Sequence, residues 1–383
     1  MPKNLFSVER NYDHGTRPAV GVLVANLGTP EAPTAKALRP YLRQFLGDPR
    51  VIELSRPLWW LILNGPILTF RPKKSAELYA KVWTEDGSPL MLYSEAVTRG
   101  IEERLREHLG TPIHCALGMS YGEPSVKSAL AELRAKGCER ILLLPLFPHY
   151  SSTSTGAVLD VLMRELMTLR RVPELRTVHQ YHDDPAYIDA LATTVREHWD
   201  QHGEPDLLVT SYHGIPKRYF LNGDPYHCQC HKTTRLLREK LGVPEDKILV
   251  TFQSLFGKEE WLKPYTEEVM EALPEAGIKR VDVMCPGFSA DCLETIDEID
   301  REYREVFEEA GGEEYRYIPC LNDRPDHIDA ITDLALRNLQ GWIESKEDFD
   351  EATYHQQAEQ CLHLAEARKA CPVHADAGYG DDH

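Results

Sequence analysis

A histidine that could bind a metal or accept a proton follows a run of apolar residues. His213 comes two residues after the end of the run Leu207–Ser211 and directly before Gly214-Ile215-Pro216. This pattern predicts a strand end and a short rigid loop that can direct the imidazole into a cleft. With an ordinary pKa of about 6.5, an imidazole can bind a divalent metal or take up a proton near neutral pH. Because the chain has 16 histidines, a hydrogen-bonded loop histidine is the alternative.

Three acidic residues recur at helical spacing further along the chain. Glu294 and Glu298 lie four residues apart, and Asp291 lies about one turn earlier, which predicts that all three share one helix face. Such a face suits a hydrated divalent cation or a path for protons. The alternative is a solvated acidic face near a helix N-terminus, where the helix dipole favours carboxylates. The preceding Pro286-Gly287-Phe288 predicts a shaped loop and favours a site.

Composition and charge narrow the class of protein that has to position these residues. The chain has 383 residues, 42% of them hydrophobic and 27% charged, with a formal net charge of -18. This length predicts two domains, and the negative charge disfavours binding to nucleic acid or anionic lipid. Met1–Arg17 lacks the apolar segment of a secretory signal, and Leu58–Phe70 is shorter than the roughly 20 residues that span a bilayer. Nine cysteines without an export signal indicate reduced thiols, so we expect a cytoplasmic protein.

Short apolar runs alternate with longer amphipathic segments along the chain. The runs are rich in β-branched residues or leucine, as expected for strands of a parallel sheet that is covered on both faces. The alternation predicts an α/β fold with two Rossmann-like, doubly wound domains. The predicted strands are Val20–Ala25, Ile113–Met119, Ile141–Leu144, Leu207–Ser211, Ile248–Thr251 and Val281–Met284. The predicted helices are Ser125–Lys136, Val158–Leu169, Pro185–His202, Lys232–Leu241, Asp291–Glu309 and His327–Trp342.

The two domains are predicted to divide near Pro148–Ser154. We expect residues 18–149 plus 320–342 to form the first domain, because the last helix is expected to return to it, and residues 150–319 to form the second. Residues 343–383 are rich in acids and poor in apolar periodicity, which predicts a disordered tail.

Ligands of open α/β sheets bind beyond the carboxyl ends of the strands. This rule selects four loops, which begin at Asn26, Pro148, Tyr212 and Cys285. The last of these leads into the segment that carries Asp291, Glu294 and Glu298, called the acidic segment below. His213 and Glu294 are therefore predicted to face each other across a cleft.

The segments around these loops resemble the ferrochelatase family of single-chain chelatases that need no ATP. The resemblance runs from about Gly21 to Trp342, and it is highly specific because six motifs occur in the same order. These are VANLGTP from Val24, PLFPHYS from Pro145, SYHGIP from Ser211, GDPY from Gly223, FQS from Phe252 and CPGF from Cys285. The segments WTEDGSP from Trp83 and DCLET from Asp291 are similar to the proteobacterial type.

The resemblance implies a lyase of haem biosynthesis that inserts Fe²⁺ into protoporphyrin IX, which it binds in a cleft between the two domains. Carried over by position, the catalytic and metal-binding residues are His213 and Glu294, with Asp291 and Glu298 as acidic neighbours. The residues expected to contact the porphyrin are Leu27, Arg71, Tyr79, Ser88, Tyr150 and Ser151.

A lip of the family pocket corresponds to Leu58–Leu63. The resemblance implies that this segment accepts the apolar macrocycle and touches a membrane surface, and the alternative is ordinary core packing. Two other functions also fit the sequence. One is a chelatase for another tetrapyrrole, such as coproporphyrin with iron or sirohydrochlorin with cobalt. The other is a carrier that binds a tetrapyrrole without metallating it.

Some members of the family carry a [2Fe–2S] cluster, which needs four thiolates. The candidates here are Cys228, Cys230, Cys361 and Cys371, and their spacing matches no cluster motif. We therefore expect no tightly bound cofactor, with iron acting as a substrate. The segment His227–His231 is an alternative zinc or copper site, although one residue between two cysteines is tighter than usual for zinc. Cys292 replaces a histidine that is frequent in the family and is expected to be a buried thiol.

Overall fold

A computed structural model describes Phe6, residues 18–257 and residues 259–369. Its strands form two four-stranded sheets in which every neighbouring pair is parallel. The first sheet contains β1 (Ala19–Asn26), β2 (Ile113–Met119), β3 (Cys138–Pro145) and β4 (Glu174–Thr177). The second contains β5 (Leu207–His213), β6 (Ile248–Gln253), β7 (Arg280–Met284) and β8 (Glu314–Ile318). The strand orders are β2-β1-β3-β4 and β6-β5-β7-β8.

Helices connect the strands and cover both faces of the sheets. The helices of the first half are α1 (Ala35–Gly47), α2 (Arg56–Ile62), α3 (Leu68–Val82), α4 (Pro89–His108), α5 (Val126–Ala135) and α6 (Thr155–Leu166). Those that follow are α7 (Pro185–His202), α8 (Lys217–Leu221), α9 (Tyr226–Leu241), α10 (Thr266–Ala272), α11 (Tyr303–Glu309), α12 (Pro325–Leu339) and α13 (Glu351–Lys369). π-Helical segments occur at Leu63–Ile67 and Glu294–Glu302, and a 3₁₀ turn at Glu245–Lys247. The predicted α/β fold with two parallel sheets is confirmed.

The inner strands are buried on both faces, which explains their continuous apolar sequences. Every residue of β1 is buried. On one face Leu23 packs with Leu143 and with Val158 of α6, and on the other Val22 lies in a cluster with Ile101 of α4. Burial of such side chains stabilises the fold by about 1.5–3 kcal/mol each.

The predicted domain division near Pro148–Ser154 comes too early for the sheets. β4 pairs with β3 through residues such as Leu175 and Thr177, and α6 packs on the first sheet. The chain therefore changes from one sheet to the other after residue 177. β4 and β8 are not predicted from the sequence, because their largely polar residues lack the apolar runs of the inner strands. Both are edge strands.

The last helix predicted for the first domain does pack there. α12 lies against α4 so closely that a Cβ added to Gly100 would come within 2.8 Å of Ile328 Cδ1. α12 also contacts α7, and thus joins the two halves of the protein.

The prediction of a disordered tail from residue 343 is wrong for the part that the structure describes. Glu344 O accepts a hydrogen bond from Gly110 N at 3.1 Å, and the helix α13 covers Glu351–Lys369. Tyr354 OH donates to Pro18 O at 2.8 Å. Phe349 packs against Gly110 and helps to anchor this segment, and sequence periodicity does not register contacts between distant residues. Residues 370–383 lie outside the described residues.

We expect the substitution Gly110→Ala to loosen the C-terminal segment. A Cβ at residue 110 would stand 2.2 Å from Phe349 Cβ, so the segment from 344 would have to move. Overpacking of this kind costs about 1–3 kcal/mol, and thermal unfolding should show a lower Tm. Gly47→Ala is the matched control, because the nearest atom to its Cβ is Leu63 Cδ2 at 3.9 Å. Equal Tm values for the two variants would contradict the prediction.

Candidate active site

His213 is the last residue of β5, at the carboxyl end of the second sheet. Its Nδ1 lies 2.7 Å from the carbonyl oxygen of Gly214. Because a carbonyl only accepts hydrogen bonds, Nδ1 carries the proton and Nε2 of the neutral ring keeps a lone pair. The rings of Trp261 and Phe288 lie 6.4 and 6.5 Å away from the imidazole. The side chain is therefore half-buried beside aromatic rings and retains a basic nitrogen.

Gln253 connects the strand that carries His213 to the acidic segment. It is the register partner of His213 on the neighbouring strand β6, so their side chains leave the sheet on the same face. Gln253 Nε2 donates to Glu294 O at 3.1 Å, and Gln253 Oε1 accepts from Ser211 Oγ at 2.9 Å. His213 and Glu294 are thus both neighbours of one buried glutamine.

Glu298 is held by several hydrogen-bond donors. Its carboxylate accepts from Ser254 N at 2.7 Å, from Ser254 Oγ at 2.5 Å and from Tyr303 OH at 2.7 Å. Gln253 Nε2 lies 3.4 Å from the same carboxylate. Glu298 also lines a small acidic groove with Glu267, Glu268 and Glu302.

Asp291 lies before the helix rather than on its face, and its side chain is buried. Tyr317 OH and Thr295 Oγ1 donate to Asp291 Oδ1 at 2.6 and 3.1 Å. Asn322 Nδ2 donates to Asp291 Oδ2 at 2.7 Å. The acids predicted to share one helix face therefore differ in surroundings, because helical regularity begins only at Leu293–Glu294 and the first helical segment is π-helical.

Glu294 lies beside phenol and thiol groups. Burial raises the pKa of the Tyr79 phenol well above its usual value, and the charges of Tyr41 and Glu294 raise it further. Burial, followed by the charge of Glu294, likewise raises the pKa of the Cys292 thiol. Tyr41 OH donates to Gly28 O at 3.1 Å, which places the phenols next to the loop after β1. Cys292 is the buried thiol that the sequence predicted.

The loop after β1 supplies another part of the same surroundings. Leu27 and Tyr79 pack on the cluster that contains Tyr41. Ser88 is buried and accepts a hydrogen bond from Thr29 Oγ1 at 2.9 Å. Leu27, Tyr79 and Ser88, which are predicted to contact the porphyrin, therefore lie around one loop.

A cleft of about 570 Å³ opens between α3 and the loop after β6. Arg71 lines this cleft, and its guanidinium lies 5.0 Å from the centre of the Phe256 ring. Burial lowers the pKa of Arg71. The other lining residues are Pro66, Ile67, Phe70, Lys74, Ser75 and Leu78, so the cleft is mainly apolar with two cations.

Tyr150 and Ser151 lie in a different environment from the residues around Leu27. The ring of Tyr150 stacks on His179 at 4.2 Å. Ser151 is buried, and its hydroxyl donates to Asp224 Oδ2 at 3.0 Å. Ser151 therefore connects the loop after β3 to Asp224, which lies two residues before α9.

The segment predicted as a lip has two faces. Leu58, Trp60 and Leu61 are 55%, 63% and 62% exposed, whereas Trp59 is 5% exposed and its indole donates to Leu46 O at 2.6 Å. One face of the segment therefore packs into the core, as the alternative interpretation expected, and the other face is open to solvent. None of the described helices is long and apolar enough to cross a membrane.

The described cysteines of the candidate cluster set face different environments. Cys228 is exposed and Cys230 is buried, although both belong to α9. Cys361 is exposed on α13, and Cys371 lies outside the described residues. No group of three or more potential metal-binding residues is found in the part of the chain that the structure describes.

The loop Cys285–Phe288, which brings Phe288 next to His213, rests on buried polar residues. Tyr187 OH donates to Pro286 O. A Cβ at Gly287 would stand 3.3 Å from Tyr212 Cδ1 and 3.9 Å from His149 Nδ1. His149 Nε2 donates to Thr233 Oγ1 at 2.8 Å, because that hydroxyl itself donates to His182 O.

His149 makes folding stability depend on pH. Burial, and next the charge of His182, lower the pKa of His149 well below 6.5. The unfolded chain therefore takes up a proton that the folded protein does not, and the free energy of unfolding falls as pH drops below about 6.5. We expect a smaller fall in Tm between about pH 7.5 and pH 5 for His149→Gln, which keeps a donor for Thr233. Identical pH dependence in the two proteins would refute this prediction.

The comparisons with known proteins identify the family to which this fold belongs. The family model for ferrochelatase matches residues 19–339. A ferrochelatase of Thioalkalivibrio sulfidiphilus is 56% identical over 353 residues, which cover 92% of this chain and 95% of that protein. A ferrochelatase of Marinobacter nauticus is 51% identical over 359 residues, covering 94% and 95%. The chain belongs to the ferrochelatase family, the lyases that insert iron into protoporphyrin in the synthesis of haem.

A solved structure shares the fold at low sequence identity. The structure of SirB from Bacillus subtilis with Fe³⁺ has a TM-score of 0.50 and 14% identity, and the match covers 87% of this chain and 100% of that one. At this identity the similarity concerns the chelatase-like fold alone.

Several residues at the site received no role from the sequence. Gln253 and Ser254 belong to a motif that contributed to the family resemblance, yet only the structure places them against Glu294 and Glu298. Tyr41 and Asn322 carried no sequence signal of function. Their contacts depend on segments that are far apart in the chain.

Proposed function

We propose that this chain inserts Fe²⁺ into protoporphyrin IX with His213 and Glu294 as the catalytic residues, with release of two protons and formation of protohaem. The single observation that supports this most directly is the hydrogen bond from His213 Nδ1 to Gly214 O at 2.7 Å. It leaves Nε2 as a basic nitrogen at the carboxyl end of β5. Insertion requires the loss of two pyrrole N–H protons, and a positioned imidazole is suited to accept them.

Glu294 is the acid best placed to act with His213. The carboxylates of Asp291 and Glu298 are already surrounded by protein donors. Glu294 instead lies next to the phenol of Tyr79 and the thiol of Cys292. We propose that Glu294 presents the metal or relays protons, and that Asp291 and Glu298 hold its helix.

The cleft at Arg71 fits a flat apolar ring with two carboxylates at one edge. Its lining is aliphatic and aromatic apart from Arg71, Lys74 and Ser75. Two cations match the two propionates of protoporphyrin, whereas coproporphyrin and sirohydrochlorin carry more carboxylates. Leu27, Tyr79 and Ser88 would then contact the ring further in. For Tyr150 and Ser151, we propose an indirect contribution to porphyrin binding, because the bond of Ser151 to Asp224 holds the loop after β3 in place.

Anaerobic mixing of the protein with Fe²⁺ and protoporphyrin, followed by absorbance, tests the reaction. We expect the bands of haem to appear with the wild-type protein. A non-catalytic carrier would shift the porphyrin bands without metallation. A chelatase for another tetrapyrrole would metallate coproporphyrin or sirohydrochlorin faster than protoporphyrin.

His213→Ala and Glu294→Gln should each lower kcat by about 10²–10⁴-fold, the range for loss of a general acid or base. Porphyrin binding, measured by fluorescence quenching, should be unchanged. Glu305→Gln is the matched control, because Glu305 is exposed further along the same helical segment and pairs with Arg301 at 3.3 Å. Full turnover in His213→Ala would remove His213 from the mechanism.

We further propose that the open face of Leu58–Leu63 makes peripheral contact with a membrane surface. Leu58, Trp60 and Leu61 are exposed, and an amphipathic segment with an exposed Trp is typical of interfacial binding. The double variant Trp60→Ser/Leu61→Ser should reduce co-sedimentation with phospholipid vesicles. The control Met167→Ser alters an apolar residue that is 77% exposed elsewhere and should have no effect. Equal vesicle binding by the wild-type protein, the double variant and the control would exclude membrane contact through Leu58–Leu63.

The remaining assignments follow from the same proposal. The protein would act in the cytoplasm on protoporphyrin IX and ferrous iron, with no role in binding nucleic acid. Iron would be the substrate rather than a resident cofactor. The first domain would comprise the first sheet with α12, and the second domain the second sheet with the acidic segment, with the porphyrin cleft between them.

A further inference from the structure

Two residues other than glycine have a left-handed backbone among the residues that the structure describes. Ser254 has a φ of 66° and Asn322 a φ of 49°. This conformation is uncommon for residues with a Cβ, although asparagine tolerates it better than most, and it concentrates at functional sites. Ser254 follows β6 and Asn322 follows β8. Each contacts an acid that flanks Glu294.

Asn322 uses both its backbone and its side chain to hold the loop before Glu294. Its N donates to Ser289 O at 2.9 Å, and its Oδ1 accepts from Asp291 N at 2.8 Å. Its Nδ2 donates to Asp291 Oδ2 at 2.7 Å. Its carbonyl accepts from Nδ1 of the buried His327 at 2.7 Å. All four polar groups of Asn322 are therefore engaged, and three of them hold residues 289–291.

Asp291 also contacts Thr295, the residue after Glu294. Thr295 Oγ1 lies 3.1 Å from Asp291 Oδ1 and 2.9 Å from Cys292 N. These bonds connect the start of the turn that contains Glu294, through Asp291, to Asn322. On the other side, Ser254 N and Oγ hold Glu298.

We infer that Asn322 and Ser254 are positioning residues that hold the turn of Glu294 from its two sides. This inference rests on the proposed role of Glu294. The left-handed backbone is what allows each residue to present an N–H or a side chain to the acidic segment. Asp291 then serves as an acceptor for Asn322 and its neighbours, and its own charge has no part in the reaction.

Variants of the Asn322–Asp291 pair test the inference in the full-length protein with Fe²⁺ and protoporphyrin. Asn322→Asp brings two carboxylates together and should lower kcat by about tenfold or more, since small misplacements of a reacting group have effects of that size. The exchange Asp291→Asn/Asn322→Asp keeps a donor and an acceptor facing each other and should restore kcat to near the wild-type value. Porphyrin binding should stay the same in all three proteins, so that kcat changes while the dissociation constant does not.

Glycine substitutions test the left-handed positions separately. Asn322→Gly and Ser254→Gly remove the side-chain contacts but permit the same backbone, so they should lower kcat without loss of porphyrin binding. Asn222→Gly is the matched control, because Asn222 is exposed at the end of α8 and contacts neither acid.

The outcomes separate this inference from the proposed function. Wild-type kcat in Asn322→Asp, or failure of the exchange to restore kcat, would overturn the positioning role while leaving iron insertion intact. A parallel loss of kcat and porphyrin binding in the glycine variants would mean that these residues only support folding, and would also overturn it. Absence of haem formation by the wild-type protein would overturn the proposed function and the inference together.

Discussion

The side chain of Gln253 at the end of β6 is the interaction on which the arrangement of the site depends. It accepts a hydrogen bond from Ser211 on β5 and donates to the carbonyl of Glu294. Because β5 and β6 are parallel and in register, the residue next to Gln253 on the sheet is His213. A buried amide with both ends occupied cannot move without leaving a polar group unpaired, which costs about 1–3 kcal/mol. The imidazole and the acidic segment therefore keep a constant spatial relation.

A few polar contacts join the first half of the protein to the second half, which carries His213 and the acidic segment. Lys81 of α3 lies 3.6 Å from the buried Asp297 of the acidic segment, and Arg218 of α8 pairs with Glu53 of the first half. Pairs with exposed partners contribute little to stability, typically below about 1 kcal/mol. Lys81 lies on the same helix as Arg71 and Tyr79, so its pair with Asp297 links that helix to the second half of the protein.

The acids of the site divide into two kinds. Asp291 and Glu298 receive several protein donors each, whereas Glu294 lies between them on a π-helical segment. π-Helical turns are rare and frequently occur at functional sites. In the proposed reaction Glu294 needs neighbours that do not move, and its two flanking acids, each held by several donors, provide them.

Local sequence patterns determined much of this protein. Continuous apolar runs predicted the inner strands such as β1 and β5, because strands covered on both faces must be apolar throughout. The rule that ligands bind beyond strand ends selected the loop of His213 and the loop before Glu294. The motifs around them indicated the family.

The tertiary structure alone decided which residues act together. β4 and the segment from Glu344 escaped prediction, because edge pairing and the contact of Phe349 with Gly110 depend on partners far away in the chain. The same reason explains why Asp291 was predicted on a helix face: only the structure brings Asn322 and Tyr317 to its carboxylate. Sequence spacing indicates which residues lie on one element, but hydrogen bonds between distant elements determine which charges remain available for chemistry.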